Sequence, residues 1–117
     1  VRAVAAIIGC DMHPLHNSGP LGHLRKQLGL GDEAVNGWIA RWVGDGLAAI
    51  EARIGDEGYC FGPEPGLADV YLVPQLYAAR RFNVPLEAYP KVLRAEALAT
   101  AHPAFAAAHP SRQPDAE

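Results

Sequence analysis

Two successive arginines, Arg80 and Arg81, close an apolar run that begins at Leu67, and a compact polar group, Cys10, His13, His16 and Asn17, brackets Pro14 near the start of the chain. A guanidinium presents a planar fork that matches a carboxylate bidentately, so an arginine at a helix end is suited to holding an anionic small molecule. The same arginine complements the negative end of the helix dipole, and that role accounts for a cation there without any ligand. Neighbours on a helix point about 100° apart, so only one of the pair can serve a given site, and spacing alone does not choose between them. His13 and Asn17 are four positions apart and share a face if the helix survives Pro14, although ordinary helix-surface polarity explains them equally well. Cys10, His13 and His16 lie too close together for a usual zinc site and no fourth ligand is near, so no metal is expected.

Helices must carry these groups. Val4, Ile8, Met12 and Leu15 recur at helical spacing, with Pro14 expected to bend or restart the helix. Asn17 to Pro20 read as a turn, after which Leu21, Leu24 and Leu28 resume a stripe. Val35, Trp38, Ile39, Trp42, Val43, Leu47, Ile50 and Ile54 form the stripe of a long second helix, and the two tryptophans one turn apart are read as core packing. Gly44 and Gly46 inside it suggest the close approach of another backbone. A Gly- and Pro-rich loop follows, from Gly55 to Gly66. Asp69 stands three residues after Gly66, which predicts a capping arrangement with Gly66 as N-cap and Asp69 as the N3 carboxylate. The run after it is apolar nearly all round, with Leu67, Val70, Tyr71, Pro74 and Tyr77 on one side and Leu72, Val73 and Leu76 on the other, as in a buried central helix. Pro90 suits the first turn of a helix to about Ala101, Pro103 a short last one, and His109 to Glu117 a tail. No convincing strand periodicity is present. The expected fold is an all-α bundle of about five helices, one domain over residues 1–117.

At 117 residues, half of them hydrophobic, the chain can bury an ordinary core, and its net charge of −3 gives no reason to expect nucleic acid or an anionic membrane as partner. No apolar stretch has the length of a membrane span. Cys10 and Cys60 form no CxxC pair and are expected to be reduced thiols in a cytoplasmic protein. The chain starts at Val1, already in helical pattern, and is expected to be the ordered part of a longer polypeptide.

Taken together, Cys10-Asp11-Met12-His13-Pro14-Leu15-His16-Asn17, Trp38 with Trp42, Leu67-Ala68-Asp69-Val70-Tyr71-Leu72-Val73-Pro74-Gln75, Ala79-Arg80-Arg81-Phe82, Tyr89-Pro90, Ala104-Phe105, His109-Pro110 and Gln113-Pro114-Asp115 resemble, in order and over nearly the whole chain, the C-terminal helical domain of zeta-class glutathione transferases. The resemblance implies a glutathione-dependent cis–trans isomerase acting on maleylacetoacetate or maleylpyruvate, in which the glutathione thiolate adds to the alkene, the carbon–carbon bond rotates and the thiolate leaves. It implies that Arg81 is the arginine that binds a substrate carboxylate, with Arg80 left as surface, and that His13 and Asn17 touch glutathione or substrate. It also implies that most of the glutathione site lies on an N-terminal thioredoxin-like domain absent from this chain, and that the whole protein is a homodimer. Alone, the chain is then expected to be inactive and prone to self-association through apolar surface on its first two helices.

Two departures from the family pattern stand out. Gly66 replaces the usual Ser or Thr, and Ser18 and Gly19 stand where some maleylpyruvate isomerases carry arginine. The second departure leaves two other functions in view: a transferase-like helical module used only for association, and a zeta-like transferase acting on small halogenated acids. The presence of Arg81, His13 and Asn17 favours the isomerase.

Overall fold

A computed structural model describes all of residues 1–117, and it is helical throughout, with no strand beyond isolated bridges at Gly58, Tyr59 and Gly62. The elements are α1 (Arg2–Ala6), a π-helical turn (Ile7–Met12), a 3₁₀ turn (His13–His16), α2 (Ser18–Lys26), α3 (Asp32–Glu51), α4 (Leu67–Arg81), α5 (Pro90–Ala101), α6 (Pro103–Ala108) and a last 3₁₀ turn (Pro110–Arg112). No helix is long and apolar enough to cross a membrane.

The stripe of α3 is the spine of the core. Val35, Ile39, Val43, Leu47 and Ile50 are all buried, and Ile54 continues the line just past the helix. Val4, Ile8 and Met12 from the first helical run meet it on one side, Val92 and Ala95 from α5 on another, and Ala68, Leu72, Leu76 and Ala79 from α4 complete the cluster. Trp38 packs at the edge, its indole N–H donating to the Leu15 carbonyl at 2.8 Å, and its ring meets Trp42 edge-on.

Three expectations need correction. The central helix α4 is buried on one side only. Its Leu72/Leu76 face is inaccessible, whereas Leu67, Val70, Tyr71 and Tyr77 are each between 41% and 55% exposed. This face of α4, rather than the first two helices, carries the open apolar surface. The turn expected at Asn17 to Pro20 is instead the start of α2. Pro20 falls in the first turn, where the missing N–H had no intrahelical partner, and Leu28 lies beyond the helix and is exposed. Finally, Gly46 makes room for a side chain rather than a backbone: a Cβ there would lie 2.3 Å from Met12 Cγ and Sδ. At Gly44 the carbonyl accepts the Tyr89 hydroxyl at 3.2 Å.

The loop from Gly55 to Gly66 is held from two sides. Arg94 of α5 donates to the carbonyls of Gly55, Asp56 and Gly58, at 2.6, 2.7 and 2.9 Å, and Lys91 pairs with Asp56 at 2.8 Å. From α4, the Asp69 carboxylate accepts the Gly66 N–H at 2.9 Å with one oxygen and the Cys60 N–H at 3.0 Å with the other. Glu51 does the same for α5 from the end of α3, taking the Lys91 and Val92 N–H groups at 2.9 Å each. Both carboxylates satisfy donors that a helix start leaves without partners.

Asp69→Ala is expected to cost about 2–4 kcal/mol, because two charge-assisted bonds go and two donors lose their partner. Gly66→Ser should add a few tenths of a kcal/mol, since a side-chain acceptor improves the N-cap and a Cβ there meets nothing nearer than Asp69 Oδ2 at 4.0 Å. Equal urea midpoints for wild type and Asp69→Ala would contradict the capping role. Gly46→Ala should cost about 1–3 kcal/mol by overpacking against fully buried Met12, read in the same unfolding experiment.

Candidate functional site

The polar group near Pro14 is positioned by a change of helix type. Ile7–Met12 is π-helical, a form that occurs mostly as short insertions and often at functional sites. Its inward residues, Ile8 and Met12, are locked in the core, and Met12 fits the space left by Gly46. The chain then tightens to 3₁₀ over His13–His16, with Pro14 in the first turn, and leaves helical geometry at Asn17 (φ −73°, ψ 162°). His13 and Asn17 therefore do not share an α-helical face. The 3₁₀ turn instead eclipses positions three apart, and it sets the His13 ring edge-on to His16 with centroids 5.0 Å apart. Asn17 becomes the N-cap residue of α2: its carbonyl accepts the Leu21 N–H at 3.1 Å, and its exposed side chain makes no capping bond. Ser18 and Gly19 follow in the first turn of α2, both exposed.

His13 lines an open groove of about 290 Å³ between the π turn and α4, together with Gly9, Tyr71, Pro74 and Gln75. Gly9 gives the groove its width; a Cβ there would touch Tyr71 at 3.4 Å. On the other side of Val70 and Pro74, a larger apolar groove of about 670 Å³ runs between α4, α5 and α6, with Tyr77 and Phe105 on its walls.

At the far end of α4 the two arginines part company. Arg80 makes a two-armed ion pair with Glu96 of α5, one arm at 2.6 Å, and the carboxylate raises the guanidinium's pKa further. Arg80 is thus a tie between helices rather than plain surface. Arg81 is exposed and has no salt-bridge partner within the chain. Its helix ends in a Schellman arrangement: Asn83 takes φ 57°, the Asn83 N–H donates to Arg80 O at 3.0 Å, and the Val84 N–H donates to Ala79 O at 2.9 Å. That closure fixes Phe82, whose ring lies 5.4 Å from the His16 ring.

The sequence places His16 in the polar group around Pro14 but does not reveal its partner, Gln75. Both are buried, and His16 Nε2 lies 3.0 Å from the Gln75 amide nitrogen and 3.3 Å from its oxygen, donor and acceptor according to the ring tautomer. One signal existed: Gln75 stands among Leu72, Leu76 and Ala79 on the inward side of α4, where a polar group needs a buried partner.

No cluster of three metal-ligating side chains forms, and Cys10 is exposed while Cys60 is buried. Burial, reinforced by the Asp69 carboxylate, pushes the Cys60 thiol from an ordinary 9.0 up to about 12. Iodoacetamide at pH 8 should modify Cys10 in the folded chain and reach Cys60 only after denaturation, as peptide mass mapping would show. Between pH 9.0 and about 12 the unfolded thiol has lost its proton and the folded one has kept it, so stability falls as pH rises through that window. A Cys60→Ala variant should lose stability less steeply there; parallel pH profiles of the urea midpoint would contradict the shift.

Comparison with known proteins agrees with this arrangement. The family model described as "Glutathione S-transferase, C-terminal domain" matches residues 32–108. The chain is 62% identical over 114 residues to a maleylacetoacetate isomerase of Pseudomonas aeruginosa, covering 97% of this chain and 53% of that protein. It superposes with TM-score 0.94, at 44% identity, on a maleylpyruvate isomerase described as a bacterial zeta-class glutathione transferase, over 99% of this chain and 57% of that one. It superposes with TM-score 0.92, at 40% identity, on a maleylacetoacetate isomerase of Anaeromyxobacter dehalogenans solved with dicarboxyethyl glutathione and citrate in its active site, over 99% and 52%. The chain spans about half the length of the relatives it matches. A helical bundle built on a capped, half-covered central helix, matched by the family model over most of its length, belongs to the glutathione S-transferase C-terminal domain family.

Proposed function

We propose that this chain is the helical, substrate-binding half of a glutathione-dependent isomerase that converts a dianionic maleyl compound, maleylacetoacetate or maleylpyruvate, from cis to trans. The observation that carries the proposal is Arg81: an exposed guanidinium without a salt bridge, set one residue before Phe82, whose ring contacts the turn that bears His13 and Asn17. A free guanidinium in that place holds a carboxylate bidentately. The bound dicarboxyethyl glutathione and citrate of the Anaeromyxobacter relative, both carboxylate-rich, support a site of this chemistry.

Glutathione, when bound, supplies the thiolate that adds reversibly to the alkene. The exposed His13 ring and the Asn17 amide, free of any capping bond, suit the peptide groups and carboxylates of such a ligand, and these two residues would hold its edge on this side of the cleft. Arg81 would orient the substrate by one carboxylate, so that the reacting carbons keep their place throughout the isomerisation. The remaining donors, and those that stabilise charge developing on the conjugated carbonyl, would come from an N-terminal thioredoxin-like domain of the full-length polypeptide. That domain would cover the open face of α4 at Val70, Tyr71 and Tyr77. The whole protein would be a cytoplasmic homodimer with both cysteines reduced.

In the full-length protein, Arg81→Ala should lower kcat/KM for the maleyl substrate about 10–100-fold, the worth of one charge-assisted carboxylate contact. Arg81→Lys should recover part of this, because charge is kept and the fork is lost. Glutathione affinity should change far less. Steady-state kinetics with both substrates at saturating glutathione decide the matter; unchanged kcat/KM in Arg81→Ala would return Arg81 to a helix-end role. The 117-residue chain alone should show no isomerase activity. It should self-associate through the open α4 face, and sedimentation should show Tyr77→Lys shifting it toward monomer.

A further inference from the structure

The polar cluster around Pro14 contains one member that faces inward. His13 and Asn17 are exposed, while His16 is buried, 7% accessible. Its imidazole meets three parts of the candidate site at once. Its Nε2 pairs with the Gln75 amide from the inner face of α4. Its ring carries the His13 ring edge-on, at 5.0 Å. Its other neighbour is Phe82, at 5.4 Å, the residue that follows Arg81. The His16–Gln75 pair is the only side-chain hydrogen bond that joins the 3₁₀ turn to α4, across 59 positions of sequence.

We infer that His16, locked by Gln75, is a positioning residue: it fixes the 3₁₀ turn against α4, and so sets the His13–Asn17 strip and the Arg81 end of α4 at one working separation. The inference rests on the site described under the proposed function and adds to it a residue that touches neither ligand. Three physical points support it. A buried polar pair with good partners favours one arrangement of its neighbours, because any other arrangement leaves both groups unpaired in a low-dielectric interior. The 3₁₀ geometry brings positions three apart onto one side, so the buried His16 ring backs the exposed His13 ring in an edge-on contact at 5.0 Å. The turn is tied to α3 by the Trp38 indole N–H on the Leu15 carbonyl at 2.8 Å, and the His16–Gln75 pair supplies the corresponding tie to α4, so the two bonds together set its orientation between those helices.

The test uses the full-length protein with four variants and a fifth in reserve, each assayed well below its own melting temperature. His16→Leu removes the hydrogen bond and keeps an apolar filling; the expected result is a rise of about tenfold in KM for glutathione and for the maleyl substrate, with kcat within about threefold of wild type. His16→Gln can re-form an amide–amide bond to Gln75, and its KM values should return to within about threefold of wild type. A lowered melting temperature in His16→Leu with unchanged KM values, or His16→Gln as impaired as His16→Leu, overturns the positioning role. Should His16→Leu fail to fold, Gln75→Met removes the same bond with an unbranched side chain and is held to the same expectation. Arg81→Ala and His13→Ala are measured alongside. Altered kinetics there with unchanged KM in His16→Leu defeat the positioning role alone, whereas unchanged kinetics in all of them defeat the site itself and this role with it.

Discussion

The Asp69 carboxylate is the interaction on which the arrangement of this domain turns. It is 1% exposed, yet both its oxygens are occupied, one by the Gly66 N–H and one by the Cys60 N–H. A carboxylate taken out of water is costly unless donors replace its hydration, and here two backbone donors and the positive end of α4 do so. The bond to Gly66 sets where α4 begins, and the bond to Cys60 ties that start to a loop with little regular structure. Arg94 holds the same loop from α5 by its carbonyls, so the loop is gripped by donors from one helix and acceptors from another. With its start fixed, α4 has one rotation about its axis that puts Leu72, Leu76 and Ala79 inside. The same rotation puts Gln75 inside and leaves Arg81 at the open end.

The second constraint is steric. Met12 is fully buried where Gly46 has no side chain, and nothing larger than hydrogen fits at that position without displacing it. The first helical run must deliver both Ile8 and Met12 to the core and then end, so that α2 can start at Ser18. It does so by widening to a π turn and then tightening to a 3₁₀ turn. The wider turn places Gly9 against Tyr71, and the tighter one sets His13 edge-on to His16. Packing in the core is thus transmitted directly to the exposed groups that could meet a ligand.

The third feature is what α4 leaves open. Leu67, Val70, Tyr71 and Tyr77 form a row of large apolar side chains facing solvent, with an apolar groove beside it. Contiguous exposed apolar surface of this kind marks an interaction face. Arg80 and Glu96 lie on the wall of that groove, where their ion pair holds α4 to α5.

Much of this domain could be read from the sequence alone, because the determinants were local or periodic. The stripe from Val35 to Ile50, the Gly66–Asp69 spacing and the Pro90 helix start each specify a helix or its end by chemistry within a few residues. The order of motifs from Cys10 to Asp115 likewise pointed to the family without any knowledge of contacts. What remained hidden depended on residues far apart in the chain. An apolar run cannot say which of its faces the other helices cover, so α4 read as buried all round although one face of it is open. Pro14 announced an irregularity, but only the demand that Met12 fit beside Gly46 decided that it would be a π turn followed by a 3₁₀ turn, with α2 starting at Ser18. Arg80 and Arg81 are the same residue type in sequence and differ only because Glu96 lies beneath one of them. His16 and Gln75 form a pair because α4 and the 3₁₀ turn are packed together, and hydrogen bonding between buried groups is a property of that packing, which neither segment carries by itself.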